Sequence, residues 1–352
     1  MAVKQKRVVR IGDFRIGGGH PVVVQSMTKT KTADVAGTVR QIRRLQRAGC
    51  ELVRCAVVNR DDVAALRRIK ASVSIPVIAD IHFDYRLALG AIKAGADKIR
   101  INPGNIGDVW RVEEIIRQAR LNDVPIRIGV NSGSLPKEVL QKYRHPGVDA
   151  IVDSVRVATA IFRENDFDQI VLSAKGVDVR QTIEVYKILN EEFDFPLHIG
   201  ITEAGLPLSG AVKSAVGLGI ILYSGIGDTI RVSLTADPVY EVVAAYAILS
   251  ALGIRQRGPI LISCPMCGRC DVDLERIARN VEKRLQKYDP FMKVAVMGCV
   301  VNGPGEAREA DFGIACGKGV GAVFAKGKEI RRVKEDKLVE ALFEVIDENV
   351  DN

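Results

Sequence analysis

The chain is expected to be an α/β protein, a (β/α)8 TIM barrel followed by a small α+β domain. Three observations predict this. Short β-branched runs alternate with stretches of helical period from residue 21 to about 252. Eight such runs occur, the count of a closed barrel. The rhythm then breaks at Gly253-Ile-Arg-Gln-Arg-Gly-Pro259, and a cysteine-rich segment follows.

The expected strands are 21–26, 51–57, 76–81, 98–102, 126–131, 169–174, 197–202 and 228–234. They are almost continuously apolar, as parallel strands covered on both faces should be. The expected helices include 35–48, 61–71, 109–122, 178–193, 208–222 and 238–252, with extra helix between 135 and 168. An open doubly wound sheet would usually carry a Gly-rich phosphate turn after its first strand, and none is present. Gly17-Gly18-Gly19 precedes the first strand and reads as a hairpin turn. The division is therefore 1–252 for the barrel, 253–259 for a linker and 260–352 for the second domain. That domain is expected to run as a strand at 260–263, a helix near 271–286, strands at 292–297, 311–315 and 322–326, and a last helix at 335–348.

At 352 residues, with 47% hydrophobic and 27% charged residues, the composition is that of an ordinary soluble chain. The longest apolar stretch, Ala215 to Ile226, is interrupted by Ser224 and glycines and is too short to span a bilayer. The basic N-terminus lacks a signal-peptide core, so a cytoplasmic location is expected. The net charge of +8 comes without long basic blocks, and aromatics are only 5%, which argues against nucleic acid. An anionic small substrate or an acidic electron-transfer partner accounts for it better.

Barrel chemistry sits at the C-terminal ends of the strands. There the sequence places Arg54, Asp80 and His82, Arg100 and Asn102, Asn131, Lys175, Glu203, and Arg231 and Ser233. Residues two apart on a strand share a face, so Asp80 pairs with His82, Arg100 with Asn102, and Arg231 with Ser233. Four cations on four strand ends, with Asp80 and Glu203 as nearby acids, suit a phosphate or diphosphate. Some of these arginines could equally be rim residues tied in ion pairs.

Seven cysteines, an odd number, argue against a disulfide framework. Cys264-Pro-Met-Cys267-Gly-Arg has CxxC spacing, and Cys299-Val-Val-Asn302-Gly-Pro-Gly-Glu306 adds a third thiol and a carboxylate. The CxxC turn alone suits zinc or iron about equally, and Cys270 and Cys316 could complete a zinc set. The Gly/Pro-rich tail ending at Glu306 favours a [4Fe–4S] cluster with one weak, non-cysteine ligand, hence an iron that opens to substrate.

These segments, in this order, resemble the bacterial 4-hydroxy-3-methylbut-2-enyl diphosphate synthases, iron–sulfur enzymes of the methylerythritol phosphate route to isoprenoids. The resemblance rests on Pro21-Val-Val-Val-Gln-Ser-Met-Thr, Ala79-Asp80-Ile-His82-Phe and Arg100-Ile-Asn102-Pro-Gly-Asn. It extends through Gly129-Val-Asn131-Ser-Gly-Ser-Leu, Ser173-Ala-Lys175, Thr202-Glu203-Ala-Gly, Arg231-Val-Ser233-Leu-Thr and both cysteine motifs. Cys270 departs from the family pattern and leaves a spare thiol near the cluster.

The resemblance implies an oxidoreductase that opens the ring of 2-C-methyl-D-erythritol 2,4-cyclodiphosphate. Two single electrons from flavodoxin or ferredoxin would be used, and a hydroxyl would leave as water. It implies Cys264, Cys267, Cys299 and Glu306 as cluster ligands. Arg54, Arg100, Lys175 and Arg231, with His82, Ser233 and Asn131, would clamp the diphosphate. Glu203 would be the proton donor, its pKa raised by burial, and Asn302, Asp80 and Asn102 would position substrate. A homodimer, with the cluster domain of one copy capping the barrel of the other, is also implied. The competing reading is a barrel enzyme acting on a phosphorylated substrate with a structural zinc module.

Overall fold

The computed structural model describes residues 5–270, 272–299 and 310–350. Contacts divide the chain into two compact units, Met1–Arg255 and Gln256–Asn352.

In the first unit a hairpin, β1 (Val9–Ile11) and β2 (Phe14–Ile16), precedes eight parallel strands. These are β3 (Val23–Met27), β4 (Leu52–Ala56), β5 (Val77–Asp80), β6 (Lys98–Ile101), β7 (Ile126–Asn131), β8 (Ile170–Lys175), β9 (His198–Ile199) and β10 (Thr229–Ile230). Their order is β8-β7-β6-β5-β4-β3-β10-β9, and a parallel bridge from Leu172 to Leu197 joins the two ends, so the barrel closes. Fold class and strand count match the expectation.

Helices follow the strands: α1 (Val35–Arg47), α2 (Arg60–Lys70), α3 (Tyr85–Lys93), the single turn α4 (Pro103–Ile106) and α5 (Val109–Leu121). Then come α6 (Lys137–Tyr143), α7 (Val148–Glu164), α8 (Val179–Glu192), α9 (Pro207–Tyr223) and α10 (Val239–Ala251). Several start on a side-chain cap that takes up an orphan N–H: Asp34, Asn59, Asp84, Asn102 and Asp178. Their buried faces pack on the outside of the sheet in one large core.

Two details differ from the sequence reading. The hairpin turns at Gly12-Asp13, between β1 and β2, and Gly17–Gly19 instead link the hairpin to β3. Gly17 is held there because a Cβ would strike the Arg7 carbonyl at its φ of +86°. The hairpin residues Val9, Ile11 and Ile16 pack with Val23, Leu52, Ile78 and Val171, inward-facing residues at the starts of their strands. One end of the barrel is therefore plugged with apolar side chains, and polar chemistry is left to the other.

The second unit is a five-stranded sheet in the order β11-β12-β13-β14-β15. Its strands are β11 (Ile260–Ser263), β12 (Lys293–Met297), β13 (Phe312–Cys316), β14 (Val320–Ala325) and β15 (Lys328–Lys334). The first three run parallel and the last two antiparallel. Helices α11 (Leu274–Leu285) and Leu338–Val350 bury their apolar faces against one side. The sequence reading missed β15, because Lys-Glu-Ile-Arg-Arg-Val-Lys is an exposed edge strand whose charge hides its alternation.

Candidate functional site

The barrel strands alternate, so one residue in two faces the interior. On β6 these are Lys98 and Arg100, on β7 Arg127, Gly129 and Asn131, and on β8 Ser173 and Lys175. Above the apolar plug the interior therefore carries Arg54, Lys98, Arg100, Arg127, Lys175 and Arg231, and after burial the neighbouring cations help lower the pKa values of Arg54, Lys98, Arg127 and Lys175. Arg54, Arg100, Lys175 and Arg231 come from the sequence reading, and the structure brings them into this one field. Lys98 and Arg127 were missed. Their signal was present, since Lys98 lies two residues before Arg100 and Arg127 two before Gly129, but attention to strand ends alone passed over it.

Lys98 is 0% exposed and Arg127 1%. Lys98 Nζ, Arg127 Nε and Nη1, and Arg100 Nε have no hydrogen-bond partner. Burial, then the neighbouring Arg127, pulls the Lys98 ammonium well below its ordinary range. Lys175 shifts the same way through burial, then Arg127 and Arg231. Arg54 is lowered to about 10, chiefly by burial.

Two carboxylates oppose these cations. Asp80 lies 3.6 Å from Arg54 Nε and accepts from Arg100 Nη1 at 3.1 Å, with His82 Nε2 at 3.4 Å. Burial pushes the Asp80 pKa up, but Arg54, His82 and Arg100 together hold it well below the usual range. The second is Glu241 on α10, 1% exposed, not Glu203 as the sequence reading had it. Glu241 lies 3.3 Å from both Arg231 Nε and Lys29 Nζ, and it accepts from Ser26 Oγ at 2.9 Å. Glu203 is exposed, in a loop where its φ is +50°. The barrel does not supply the burial that its expected role as proton donor calls for.

Glycines make room for this interior. A Cβ on Gly129 would stand 2.5 Å from Arg100 Nε, and one on Gly200 would collide with Lys175 Nζ. His198 stands inside the barrel with Nε2 3.1 Å from Lys175 Nζ and Nδ1 2.6 Å from Thr229 Oγ1. Asn131, oriented to satisfy its neighbours, accepts from Arg100 Nη2 at 3.3 Å. Asn102 is buried and caps the α4 turn through Gly104 N–H. Ser233 stands half-buried beside Arg231 at the β10 end.

In the second unit, Cys264 follows β11, Cys299 follows β12, and the two strands are parallel neighbours. The Cys264 N–H donates to the Val296 carbonyl at 3.2 Å. Cys267 is exposed on the following turn, which Cys270 closes by donating its N–H to the Cys267 carbonyl at 2.9 Å. Met266 holds that turn at a φ of +60°. Asn302 and Glu306 lie outside the described residues. Among the described residues no three His, Cys, Asp or Glu side chains gather around a point that one metal ion could fill. Thiolates spaced across two strand ends and a turn match the soft, wider donor set of an iron–sulfur cluster in kind.

A closed barrel with a cationic interior, joined to a unit with cysteines at its strand ends, defines a barrel enzyme for an anionic, phosphorylated substrate. The chain belongs to the GcpE family: residues 6–246 match its description "GcpE TIM-barrel domain" and residues 260–348 "GcpE protein C-terminal domain". It is 52% identical to the 4-hydroxy-3-methylbut-2-en-1-yl diphosphate synthase (flavodoxin) of Symbiobacterium thermophilum, over 98% of this chain and 93% of that one. It is 55% identical to the protein of the same name from Geobacter sulfurreducens, over 96% and 95%. Among solved structures, a Yersinia pestis dihydropteroate synthase aligns with a TM-score of 0.51 at 12% identity, covering 71% of this chain and 100% of that one. That likeness concerns the barrel fold alone.

Proposed function

We propose that the chain is an oxidoreductase with the activity its relatives are named for, forming (E)-4-hydroxy-3-methylbut-2-enyl diphosphate from 2-C-methyl-D-erythritol 2,4-cyclodiphosphate. The observation that carries this reading is the imbalance of the barrel interior, where Arg54, Lys98, Arg100, Arg127, Lys175 and Arg231 face, among the described residues, only Asp80 and Glu241. Buried cations without partners are costly, and a diphosphate would satisfy several at once.

In this reading Arg54, Arg100 and Arg231 hold the phosphates by paired N–H donors, and Lys175 adds a point charge. His82 and Asn131, already hydrogen-bonded to Arg100, keep its guanidinium turned toward the ligand. Ser233 would donate a further hydrogen bond from the β10 end. As the ring opens, negative charge collects on the phosphate leaving the carbon, and the same preorganised donors stabilise it. Glu203 is the candidate proton donor for the departing hydroxyl, and the strained loop that carries it is the kind of backbone found at functional sites. Asp80 and Asn102 position neighbours rather than substrate, through Arg54 and Arg100 in one case and the α4 turn in the other.

Cys264, Cys267 and Cys299 would hold a [4Fe–4S] cluster, with Glu306 as its fourth, exchangeable ligand and Asn302 beside the substrate. When bound, such a cluster supplies single electrons and a Lewis-acidic iron. The proposed electron donor is flavodoxin, the one in the relatives' names. A cytoplasmic setting would keep the thiols reduced, and a homodimer is proposed as the working form. Nothing favours the zinc alternative.

The test is purification without oxygen, followed by iron, sulfide and zinc analysis and turnover with reduced flavodoxin. About four irons and four sulfides per chain, with product formed, is the expected result. Stoichiometric zinc without sulfide, persisting after reconstitution, overturns the reading.

A further inference from the structure

We propose that Cys270 and Cys316 form an oxidisable dithiol behind the cysteine turn, closing to a disulfide under a peroxide oxidant. Neither residue has a part in the chemistry proposed above.

The geometry follows from strand register. β12 and β13 are parallel, with Met297 paired to Ala315, so the next step in register sets Gly298 beside Cys316. Neighbouring strands stand about 4.8 Å apart. Val294 and Val296 face α11 together with Phe312, Ile314 and Cys316, so Gly298 and Cys316 present the same face. Gly298 has no side chain, and the Cys270 sulfur occupies that gap: a Cβ there would stand 2.7 Å from Cys270 Sγ and 2.9 Å from Leu274 Cδ2. The Cys270 sulfur thus rests on the sheet face that Cys316 shares, over the position one strand away from it in register. Cys270 packs against the same apolar cluster that contains Cys316. Cys270 is also among the groups that, after burial, push the Cys316 thiol up to about 12.

The two thiols differ in access. Cys316 is fully buried and Cys270 half-buried at the end of an exposed turn, donating weakly to the Val272 carbonyl at 3.4 Å. Cys270 is therefore the thiol a small oxidant reaches first. Its sulfur attacks one peroxide oxygen, and the O–O bond breaks to give a sulfenic acid and water. The Cys316 sulfur then displaces the remaining oxygen as a second water, and the S–S bond forms. Two thiols and one hydrogen peroxide give one disulfide and two waters. The bond ties the turn that carries Cys267 to β13 and stops Cys270 from oxidising further.

The inference uses the proposed cluster only to say what the turn is for, so the experiment is run on the full chain freed of iron. The chain is treated anaerobically with two equivalents of hydrogen peroxide, blocked with an alkylating reagent, digested and mapped by mass spectrometry. The expected result is a peptide pair joined through Cys270 and Cys316, released by a dithiol reductant. In C316S, Cys270 is expected to progress to sulfinic acid or pair elsewhere, with the folded state checked by circular dichroism. Wild-type chain that instead links Cys264, Cys267 or Cys299 among themselves, or carries sulfinic Cys270 beside an unmodified Cys316, overturns the proposal. Iron and sulfide content of untreated protein reports separately on the cluster reading.

Discussion

Glu241 on α10 holds Arg231 on the far side of a barrel strand end: its Oε2 lies 3.3 Å from Arg231 Nε and accepts from Ser26 Oγ, while its Oε1 accepts from the Leu234 N–H at 3.2 Å. One fully buried carboxylate therefore sets a cation of the site, the first barrel strand and the β10 loop. Replacing it as E241Q leaves the volume but removes the charge that orients Arg231. Hydrogen bonds to a charged group contribute about 1.5–3 kcal/mol each. The Michaelis constant for the cyclic diphosphate is expected to rise about tenfold or more, since ~1.4 kcal/mol is a factor of ten. The midpoint of thermal unfolding should also fall. Steady-state kinetics beside a melting curve checks both, and a stable variant with unchanged kinetics would remove Glu241 from the site.

Gly129 should be irreplaceable for binding rather than for folding. Its missing Cβ leaves space for Arg100, whose Nε would be 2.5 Å from an alanine methyl. G129A is expected to displace the guanidinium and weaken inorganic diphosphate binding by about one order of magnitude, the scale of one lost charged contact. Titration calorimetry measures this. Full affinity with an intact fold would show that Arg100 does not need that space.

Asp80 should make the protein acid-sensitive. Its folded pKa is held well below 3.8 although burial opposes this, because Arg54, His82 and Arg100 surround it. A depressed carboxylate contributes stability that is present above its unfolded pKa and is lost as pH falls through the folded value. D80N should therefore unfold at lower denaturant concentration at pH 7, by about 3–5 kcal/mol for a broken buried pair. The difference from wild type should shrink on acidification below about pH 4. Urea titrations at several pH values decide this, and a constant difference down to the lowest pH would place the stabilisation elsewhere.

Ligand binding should draw protons onto Lys175. Burial, with Arg127 and Arg231 next, lowers its pKa well below 10.5, and an arriving diphosphate reverses the charge balance. In the free protein the unfolded state binds more protons between the folded pKa and 10.5, so stability rises with pH across that window. Diphosphate raises the folded pKa, so binding at a pH between the free and bound values takes up protons. Calorimetry in two buffers of different ionisation enthalpy should reveal the uptake, and K175M should reduce it. Equal uptake in both proteins would assign the protons to another group or to the ligand.

Much of the site could be read along the strands, because a period of two says which residues share a face. Arg100 and Asn102, or Arg231 and Ser233, are legible this way. Lys98 and Arg127 obey the same rule, but they lie below the strand ends, where a barrel normally packs apolar layers. Glu241 was not legible, since it sits in an apolar helix and reaches the site only through the way α10 packs beside β3. The exposure of Glu203 was not legible for the opposite reason: its motif marks it, but burial depends on the path of the loop around it. The edge strand β15 was hidden by its charge.

By itself the sequence determined the barrel, the order of cysteine motifs and the cationic character of the strand ends. These follow from local periodicity and from residue chemistry, which neighbours in sequence suffice to express. Only the tertiary structure decided which carboxylates oppose the six cations, how the glycines at 129 and 200 admit Arg100 and Lys175, and that Cys270 rests on Gly298 in register with Cys316. Those are contacts between residues far apart in the chain. Their energies depend on burial and on distances of a few ångströms, which closing the barrel and aligning the second sheet set.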